Sequence, residues 1–297
     1  MQGDYSKDLS IIDAPFIFKG FTGWPSFSPD GSQIVFTADA DSDRCYLCII
    51  DVNNPKQINP VTTPEIGAKR PSWNPKGHAI AYNLNNDSIW IYDLKTKGSN
   101  PYITDSVRKT KKLIHPCYAP DGRSILVASL HKGGLHREEV LYRLDPMAKV
   151  QILQITNYPH VCAGRPAVSP DNIDVIFAGH ADFFNQLENR LWKVNSLQQS
   201  YKLEDGEDAD KHGRCPAYSP DGNWVSCVST RPLKNPTDDT PMAVWIVRSD
   251  GSEAYKLTDD SLLPTHMTWS PDQKKLAVAG AFGLQLIELP EIFRSKI

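Results

Sequence analysis

The sequence predicts an all-β fold, a six-bladed β-propeller with four antiparallel strands in each blade. Two observations predict it: one turn motif recurs at even spacing along the chain, and segments of alternating hydrophobicity follow each copy. The copies are SPDG (28–31), NPKG (74–77), APDG (119–122), SPDN (169–172), SPDG (219–222) and SPDQ (270–273). Their prolines stand at 29, 75, 120, 170, 220 and 271, so the steps are 45 to 51 residues. An internal repeat of this length is typical of propellers and solenoids.

The turn motif is suited to joining two neighbouring antiparallel strands. Proline fixes φ at the first turn position, the Asp carboxylate accepts a backbone hydrogen bond, and glycine tolerates positive φ. Two residues before each proline stand Phe27, Trp73, Tyr118, Val168, Tyr218 and Trp269. The first strand of each blade should therefore end at the residue between, which is Ser28, Asn74, Ala119, Ser169, Ser219 or Ser270.

Three further strands follow each turn. The second has period-2 apolar alternation, as in Ile34/Phe36 and Val225/Cys227, which marks a strand with one packed face. The third strands are predicted at LCIID (47–51), IWIYD (89–93), LYRLD (141–145), LWKVN (191–195), VWIVRSD (244–250) and LQLIE (284–288). Short fourth strands are predicted at KQIN (56–59), YITD (102–105), LQIT (153–156), YKLE (201–204) and YKLT (255–258).

The sixth unit lacks a fourth strand after residue 288, and APFIFKG (14–20) precedes the first repeat without a partner. We therefore expect residues 14–19 to pair with the last blade and close the ring, which removes an open sheet edge. Length alone would suggest two domains, but the repeat predicts one propeller domain over 1–297. Its blades should cover approximately 20–60, 66–104, 113–156, 163–204, 212–258 and 264–290 plus 14–19.

The composition argues against some classes of partner. The formal net charge of the 297 residues is −3, so no global basic field points to nucleic acid. No apolar run approaches the roughly 18 residues of a membrane helix, and the first 13 residues lack the apolar core of a signal peptide. We expect a monomer in the cytoplasm, or in the periplasm or outside the cell if a signal peptide has been removed.

The six cysteines show no framework spacing; they are Cys45, Cys48, Cys117, Cys162, Cys215 and Cys227. The Cys45–Cys48 pair resembles half of a zinc site, but the second half is missing, and residues i and i+3 of a strand point to opposite faces. We expect reduced and mostly buried thiols, which favours a reducing compartment.

The repeat x-P-x-[FWY]-S-P-D-G-x-x-[IV]-x-[FY], followed by [IV]-W-[IV]-x-D, resembles the TolB-like, WD-repeat-like six-bladed propellers over residues 14–290. That resemblance implies the fold and, among relatives, the partner-binding domain of TolB, the gating propellers of prolyl oligopeptidase-like peptidases and the oligogalacturonate lyases. The Gly-His and Trp-Asp pairs of true WD repeats are absent. Peptidase activity of the α/β-hydrolase type is not expected, because the sequence has no Gly-x-Ser-x-Gly.

A candidate site lies at one repeat position, five residues before each turn proline. The residues there are Trp24, Arg70, His115, Arg165, Cys215 and His266, with Arg214 beside Cys215. By analogy with other propellers, the first strands line the central channel, so these side chains should converge at its mouth. Arginine binds carboxylate or phosphate groups bidentately, and Trp24 could stack on a ring. Alternatively, the arginines pair with carboxylates such as Asp39, Asp182 or Asp210, and the histidines cap loop carbonyls.

Three long loops should overhang this site: 129–139, 179–190 and 229–241. His131 and His180, near the loop starts, are candidate ligand-binding residues. With Asp182, His115 and His266 they could form a divalent-metal site, as the resemblance to oligogalacturonate lyases implies, although no His-x-His spacing supports one. No cofactor is otherwise predicted. The charged runs 108–112 and 204–210 lie on the same rim and are either solvated or a docking surface for a partner.

Two functions follow from these observations. The first is a propeller scaffold that binds a protein partner or a small anionic ligand at its central funnel and rim loops. The alternative is a lyase or hydrolase that acts on an anionic carbohydrate or related acid, with His115 and His266 as catalytic residues. The residue types in the channel fit both functions, so the choice between them depends on geometry.

Overall fold

A computed structural model of the protein describes residues 15–39, 43–85, 87–103, 111–131, 139–148, 151–156, 161–162, 165–180, 190–195, 198–203, 213–230 and 242–295. These residues form six antiparallel sheets, and the predicted six-bladed propeller is confirmed. Strand β1 (Phe16–Lys19) belongs to the last sheet. Three short 3₁₀ helices cover Pro64–Ile66, Asp260–Leu262 and Glu291–Phe293. None of the described helices is long and apolar enough to cross a membrane.

In five sheets the strands lie in chain order from the axis outward, and each of these sheets holds one repeat. Blade 1 holds β2 (Thr22–Phe27), β3 (Gln33–Ala38), β4 (Tyr46–Asp51) and β5 (Ile58–Pro60); blade 2 holds β6 (Ala68–Trp73), β7 (Ala79–Leu84), β8 (Ser88–Asp93) and β9 (Gly98–Pro101); blade 3 holds β10 (Lys111–Tyr118), β11 (Ile125–His131), β12 (Glu139–Leu144) and β13 (Ile152–Gln154). Blade 4 holds β14 (Val161–Cys162), β15 (Ala167–Val168), β16 (Val175–His180), β17 (Arg190–Val194) and β18 (Ser200–Lys202); blade 5 holds β19 (Arg214–Tyr218), β20 (Trp224–Ser229), β21 (Ala243–Arg248) and β22 (Ala254–Lys256).

Blade 6 closes the ring as predicted. It holds β23 (Pro264–Trp269), β24 (Lys275–Gly280) and β25 (Gly283–Glu288), and β1 pairs antiparallel with β25 as its outer strand. The pairs Phe18–Leu284 and Lys19–Gly283 fix the register. The Phe18 ring also lies 4.9 Å from that of Phe36 in blade 1. The amino-terminal strand therefore holds the first and last blades together.

Most strand boundaries differ from the sequence prediction by one or two residues, and one outer strand lies elsewhere. Each first strand ends one residue earlier than expected, at Phe27 in blade 1 for example, because Ser28 begins the turn and its hydroxyl accepts the amide of Gln33. The outer strand of blade 2 is Gly98–Pro101 rather than 102–105. Tyr102 gives one more backbone bond to Ile89 and then leaves the sheet.

The turns form a second contact between blades, on the face where the first strands end. In blade 1 the Asp30 carboxylate accepts the hydroxyl of Ser28 at 2.6 Å and the amide of Ser32 at 3.0 Å. The Ser28 bond, followed by the Ser32 bonds, lowers the pKa of Asp30. Gly77 packs against Pro29 of the preceding blade, where a Cβ would lie 3.3 Å from the proline ring. The repeated turn therefore connects neighbouring blades.

The hydrophobic core is divided into six clusters, and each lies between two consecutive sheets. One cluster joins blades 1 and 2 through Leu47 and Tyr82, and another joins blades 6 and 1 through Leu284 and Phe36. Every sheet therefore buries both of its faces, one against each neighbouring blade. Five described cysteines form no disulfide, namely Cys45, Cys48, Cys117, Cys215 and Cys227; the side chain of Cys162 lies outside the described part.

Candidate functional site

The candidate site is built from β-bulges in the first strands. In blade 1, Gly23 pairs with Thr37 and Ser26 with Val35, so Trp24 and Pro25 together oppose Phe36. Blades 2, 3 and 5 have the same two-against-one bulge, and in blade 4 the first strand is interrupted at this point. A bulge turns a side chain away from the regular alternation of the strand.

Five of the predicted site residues occupy the left-handed region at these bulges. Their φ angles are 52° for Trp24, 58° for Arg70, 55° for His115, 65° for Arg165 and 54° for Cys215. Each precedes a proline, so the repeated X-Pro signal in the sequence marks these bulges. A non-glycine residue in this region costs of order 1–3 kcal/mol, and such residues cluster at functional sites. The sequence prediction placed these residues at the channel mouth, whereas the structure places them inside or between the strands that line it.

Two of the bulges are fixed by the preceding blade. The Arg70 amide donates to Thr37 Oγ1 at 3.1 Å, and the His115 amide donates to Asn83 Oδ1 at 2.9 Å. Thr37 and Asn83 are fully buried in the second strands of blades 1 and 2. The backbone at each of these site residues is therefore held by a neighbour, independently of the side chain that it presents.

Blade 6 departs from the pattern. Its register shift falls between Pro264 and His266, and the left-handed residue is Leu263, three positions earlier than His266. His266 nevertheless reaches the same cavity and is only 7% exposed. His266 thus reaches the cavity from a strand whose register shift lies at a different position.

The side chains of this repeat position surround one axial cavity of about 260 Å³. Lining residues include Trp24, Arg70, His115, Arg165, Cys215 and His266. A cavity of about 360 Å³ adjoins it where the first strands begin and is lined by Arg214 as well as Trp24, Arg165 and His266. A third, of about 320 Å³, lies toward the turns and is lined by Pro75, Pro120, Pro170 and Pro220. The axial cavity shares lining residues with each of the other two, so the three cavities follow one another along the channel.

Trp24 contacts three other residues of the cavity wall. Its ring lies 4.2 Å from that of His266, and the guanidinium carbons of Arg70 and Arg165 lie over it at 5.0 Å and 5.8 Å. A cation over an indole face gains roughly 0.5–2 kcal/mol. The ring therefore positions the two arginines, and the predicted stacking of a ligand ring on Trp24 would have to share that surface with three protein groups.

The cavity wall is cationic. None of the residues that line the axial cavity or its neighbour at the strand starts is Asp or Glu, within the described part of the chain. Asp39, the one predicted neutralising carboxylate in that part, is exposed and does not line either cavity. Asp182 and Asp210 lie outside the described residues. Arg165 Nη1 donates to the sulfur of Cys215 instead of to a carboxylate.

Both cavity histidines are held neutral at pH 7. Burial lowers the pKa of His115 well below its usual range, and Arg70 and Arg165 act in the same direction. Burial likewise lowers the pKa of His266, with contributions from Arg165, His115 and Arg70. Nδ1 of His115, both ring nitrogens of His266 and Nε1 of Trp24 are buried and make no hydrogen bond within the described chain. These nitrogen atoms are therefore available, in addition to the arginines, for hydrogen bonds to a polar ligand.

Some predicted site residues are not brought into this arrangement. His131 and His180 end strands β11 and β16, but their side chains lie outside the described part, as do most of the three long loops and the charged runs. Among the described residues, no group of three or more His, Cys, Asp or Glu side chains could hold a metal ion. Cys215 stands at the repeat position, but the sequence analysis assigns it no role. The sequence feature that marks it is the proline that follows it.

Comparisons with known proteins agree with the fold. The chain is 25% identical over 230 residues to an uncharacterized protein of Agrobacterium fabrum, a match that covers 76% of this chain and 69% of that protein. No family model matches the sequence. What the chain shares with TolB and related solved propellers is the six-bladed architecture.

Three solved structures illustrate the range of functions on this architecture. A gluconolactonase from Xanthomonas campestris superposes with a TM-score of 0.69 at 12% identity, over 94% of this chain and 91% of that one. An oligogalacturonate lyase in complex with manganese gives 0.58 at 12% identity, over 93% and 91%. TolB from Acinetobacter baumannii gives 0.59 at 17% identity over 80% of this chain, which spans 57% of that structure. At these identities the likeness concerns the fold.

Proposed function

We propose that this propeller is a binding protein whose axial cavity takes a small anion with a carboxylate or phosphate group. The observation that carries the proposal is a cavity lined by Arg70 and Arg165, adjoined by Arg214, with no carboxylate among its described lining residues. Like charges in a partly buried site repel one another more strongly than in water. An anionic ligand would relieve that repulsion and accept the guanidinium hydrogen bonds.

The backbone supports the same proposal. Glycine is the residue that adopts left-handed φ at no steric cost, yet none of the five left-handed bulge positions carries glycine. The side chains are therefore retained against a conformational cost, which favours a role in binding over one in folding. A volume of about 260 Å³ is near the lower end of the range for small-molecule pockets, which suits a small ligand.

The experiment is a thermal-melt and calorimetric titration of the full chain. Gluconate, galacturonate, citrate and inorganic phosphate are compared with glucose as a neutral control. At 100 times its Kd a ligand stabilises the folded state by about 2.7 kcal/mol, so a bound anion should raise the Tm and glucose should not.

Variants locate the site. Arg70→Met and Arg165→Met should abolish the shift that an anion produces. Arg123→Met is the matched control, because Arg123 pairs with Asp145 at 2.8 Å and lines none of the three cavities. No shift with any anion, or equal shifts in all three variants, would refute binding in this cavity.

The alternative function is a lyase or hydrolase acting on an anionic carbohydrate. The observation in its favour is a pair of neutral histidines beside the arginines, in which Nδ1 of His115 and both ring nitrogens of His266 make no hydrogen bond within the described chain. A neutral imidazole can accept a proton from a substrate. Oligogalacturonide cleavage with and without added Mn²⁺ tests it: the ultraviolet absorbance of unsaturated products reports a lyase, and new reducing ends without that absorbance report a hydrolase. His115→Asn and His266→Asn should lose turnover while anion binding persists; absence of both signals in the unmodified protein would contradict cleavage of this substrate.

A further inference from the structure

Cys215 occupies the repeat position that carries Trp, Arg or His in the other blades. It lines both the axial cavity and the adjoining cavity at the strand starts, and it is 6% exposed. A guanidinium N–H of Arg165 donates to its sulfur. Reactive cysteines are typically found beside cationic groups in partly accessible sites.

A second observation indicates that this place receives a ligand. His266 is more than nine-tenths buried, lines both cavities with Cys215, and has no hydrogen-bond partner for either ring nitrogen within the described chain. A buried polar group without a partner is costly. The thiol therefore shares its cavity with a polar group that a bound molecule would satisfy.

We propose that Cys215 is a covalent modification site for small anionic electrophiles, that is, carboxylates bearing a reactive carbon, held beside its sulfur by the cavity arginines. The proposal rests on the proposed function, since the same cationic wall attracts the reagent. With iodoacetate as the probe, the thiolate sulfur attacks the methylene carbon, the C–S bond forms and the C–I bond breaks. Iodide leaves with the electron pair, and the thiol proton passes to solvent.

Cys117 provides an internal reference because it lines the same axial cavity. Its sulfur donates to the carbonyl oxygen of Tyr118 at 3.7 Å, and burial raises its pKa to about 11. Burial also raises the pKa of Cys48 to about 12, and Cys48 lines none of the three cavities. These thiols should react slowly with any alkylating reagent.

The experiment compares iodoacetate, which is anionic, with iodoacetamide, which is neutral and of similar size. Modification of each cysteine in the folded, reduced protein is followed by peptide mass spectrometry, and glutathione gives the reference rate ratio. Cationic clefts raise encounter rates by 10- to 1000-fold, so the iodoacetate-to-iodoacetamide ratio at Cys215 should exceed that of glutathione about 10-fold or more. The ratio should fall to the glutathione value in Arg165→Met, or in Arg214→Met if the first variant fails to fold, and should be unchanged in Arg123→Met.

The outcomes separate this inference from the binding function. An unreactive Cys215, a ratio equal to that of glutathione, or faster modification of Cys117 overturns the inference, even where anions raise the Tm. Preferential carboxymethylation of Cys215 that requires Arg165 supports it, and the modified protein should then lose its anion-induced Tm shift. Preferential modification without any anion-induced shift would refute the binding function and leave the modification site standing.

Discussion

Two rings of left-handed residues encircle the channel, and they are filled in different ways. In the turn ring, four of the six positions carry glycine, namely Gly31, Gly77, Gly122 and Gly222. In the bulge ring, five positions carry Trp24, Arg70, His115, Arg165 and Cys215 instead. The turn ring imposes this backbone demand in all six blades, and the bulge ring imposes it at the cavity position in five of them. One ring satisfies it with the residue that fits at lowest cost, and the other retains side chains in spite of the strain.

The exceptions in the turn ring support this interpretation. Asn172 replaces glycine and accepts a hydrogen bond from Arg143 Nη2 of the preceding blade at 2.8 Å. Gln273 also replaces glycine, and its Oε1 accepts the amide of Asp221 at 3.0 Å while its Nε2 donates to Phe293. Asn172 thus links its turn to the preceding blade, and Gln273 links its turn to the preceding blade and to the last 3₁₀ helix. The side chains of the bulge ring instead face a shared cavity, so uniform chemistry marks the scaffold and varied chemistry marks the candidate site.

The largest effect on stability is expected from a substitution that opens the propeller, because both rings depend on its closure. A Cβ on Gly283 would lie 2.0 Å from the carbonyl oxygen of Phe18, and its φ is +150°. Gly283→Val should therefore expel strand β1 and lower the free energy of unfolding by on the order of 3–5 kcal/mol, as urea denaturation would report. Gly98→Ala, at a position without positive φ, should cost far less; equal losses would contradict the closure role.

Substitution in the turn ring should cost less than opening the propeller. Gly222 has φ +75°, and a Cβ at this position would lie 3.4 Å from the Pro170 ring, so the cost is chiefly backbone strain. Gly222→Ala should lower the free energy of unfolding by roughly 1–2 kcal/mol and leave anion binding unchanged. A loss of binding without a loss of stability would show that the turn ring serves the ligand after all.

The reverse result is expected in the bulge ring. Arg165→Gly relieves left-handed strain and charge repulsion, so the free energy of unfolding should stay level or rise by about 1 kcal/mol while anion binding is lost. Urea denaturation and calorimetry on the same sample measure both quantities. A destabilisation of several kcal/mol would mean that Arg165 is a structural partner, and the contrast between the two rings would fail.

The smallest effect concerns pH. His115 and His266 have pKa values below that of an unfolded histidine, so the unfolded chain binds more protons below about pH 6.5. Stability should therefore be present above that pH and decline as the pH falls below about 6.5. His266→Asn should flatten this decline, whereas His78→Asn, at an exposed position, should leave it intact. An unchanged slope in His266→Asn would place the pH dependence elsewhere.

The sequence predicted the blade count, the closing strand and the shared register of the site, because each rests on a pattern repeated every 45–51 residues. It misplaced the outer strand of blade 2, where Tyr102 looks like a strand residue but leaves the sheet. It also missed that Trp24 holds the arginines and that Arg165 contacts Cys215. Such contacts join residues from different blades, and the distances between them depend on packing that one repeat does not encode.

The hydrogen bonds that Thr37 accepts from Arg70 and Asn83 accepts from His115 have an evolutionary consequence. Each holds the backbone of a cavity residue from the neighbouring blade, so the cavity residue itself can be exchanged by a single codon change without redesign of its support. Under the proposed binding function, the ligand preference of the channel can therefore change one blade at a time, while the buried threonine and asparagine keep the backbone in place. Specificity and stability then depend on different residues.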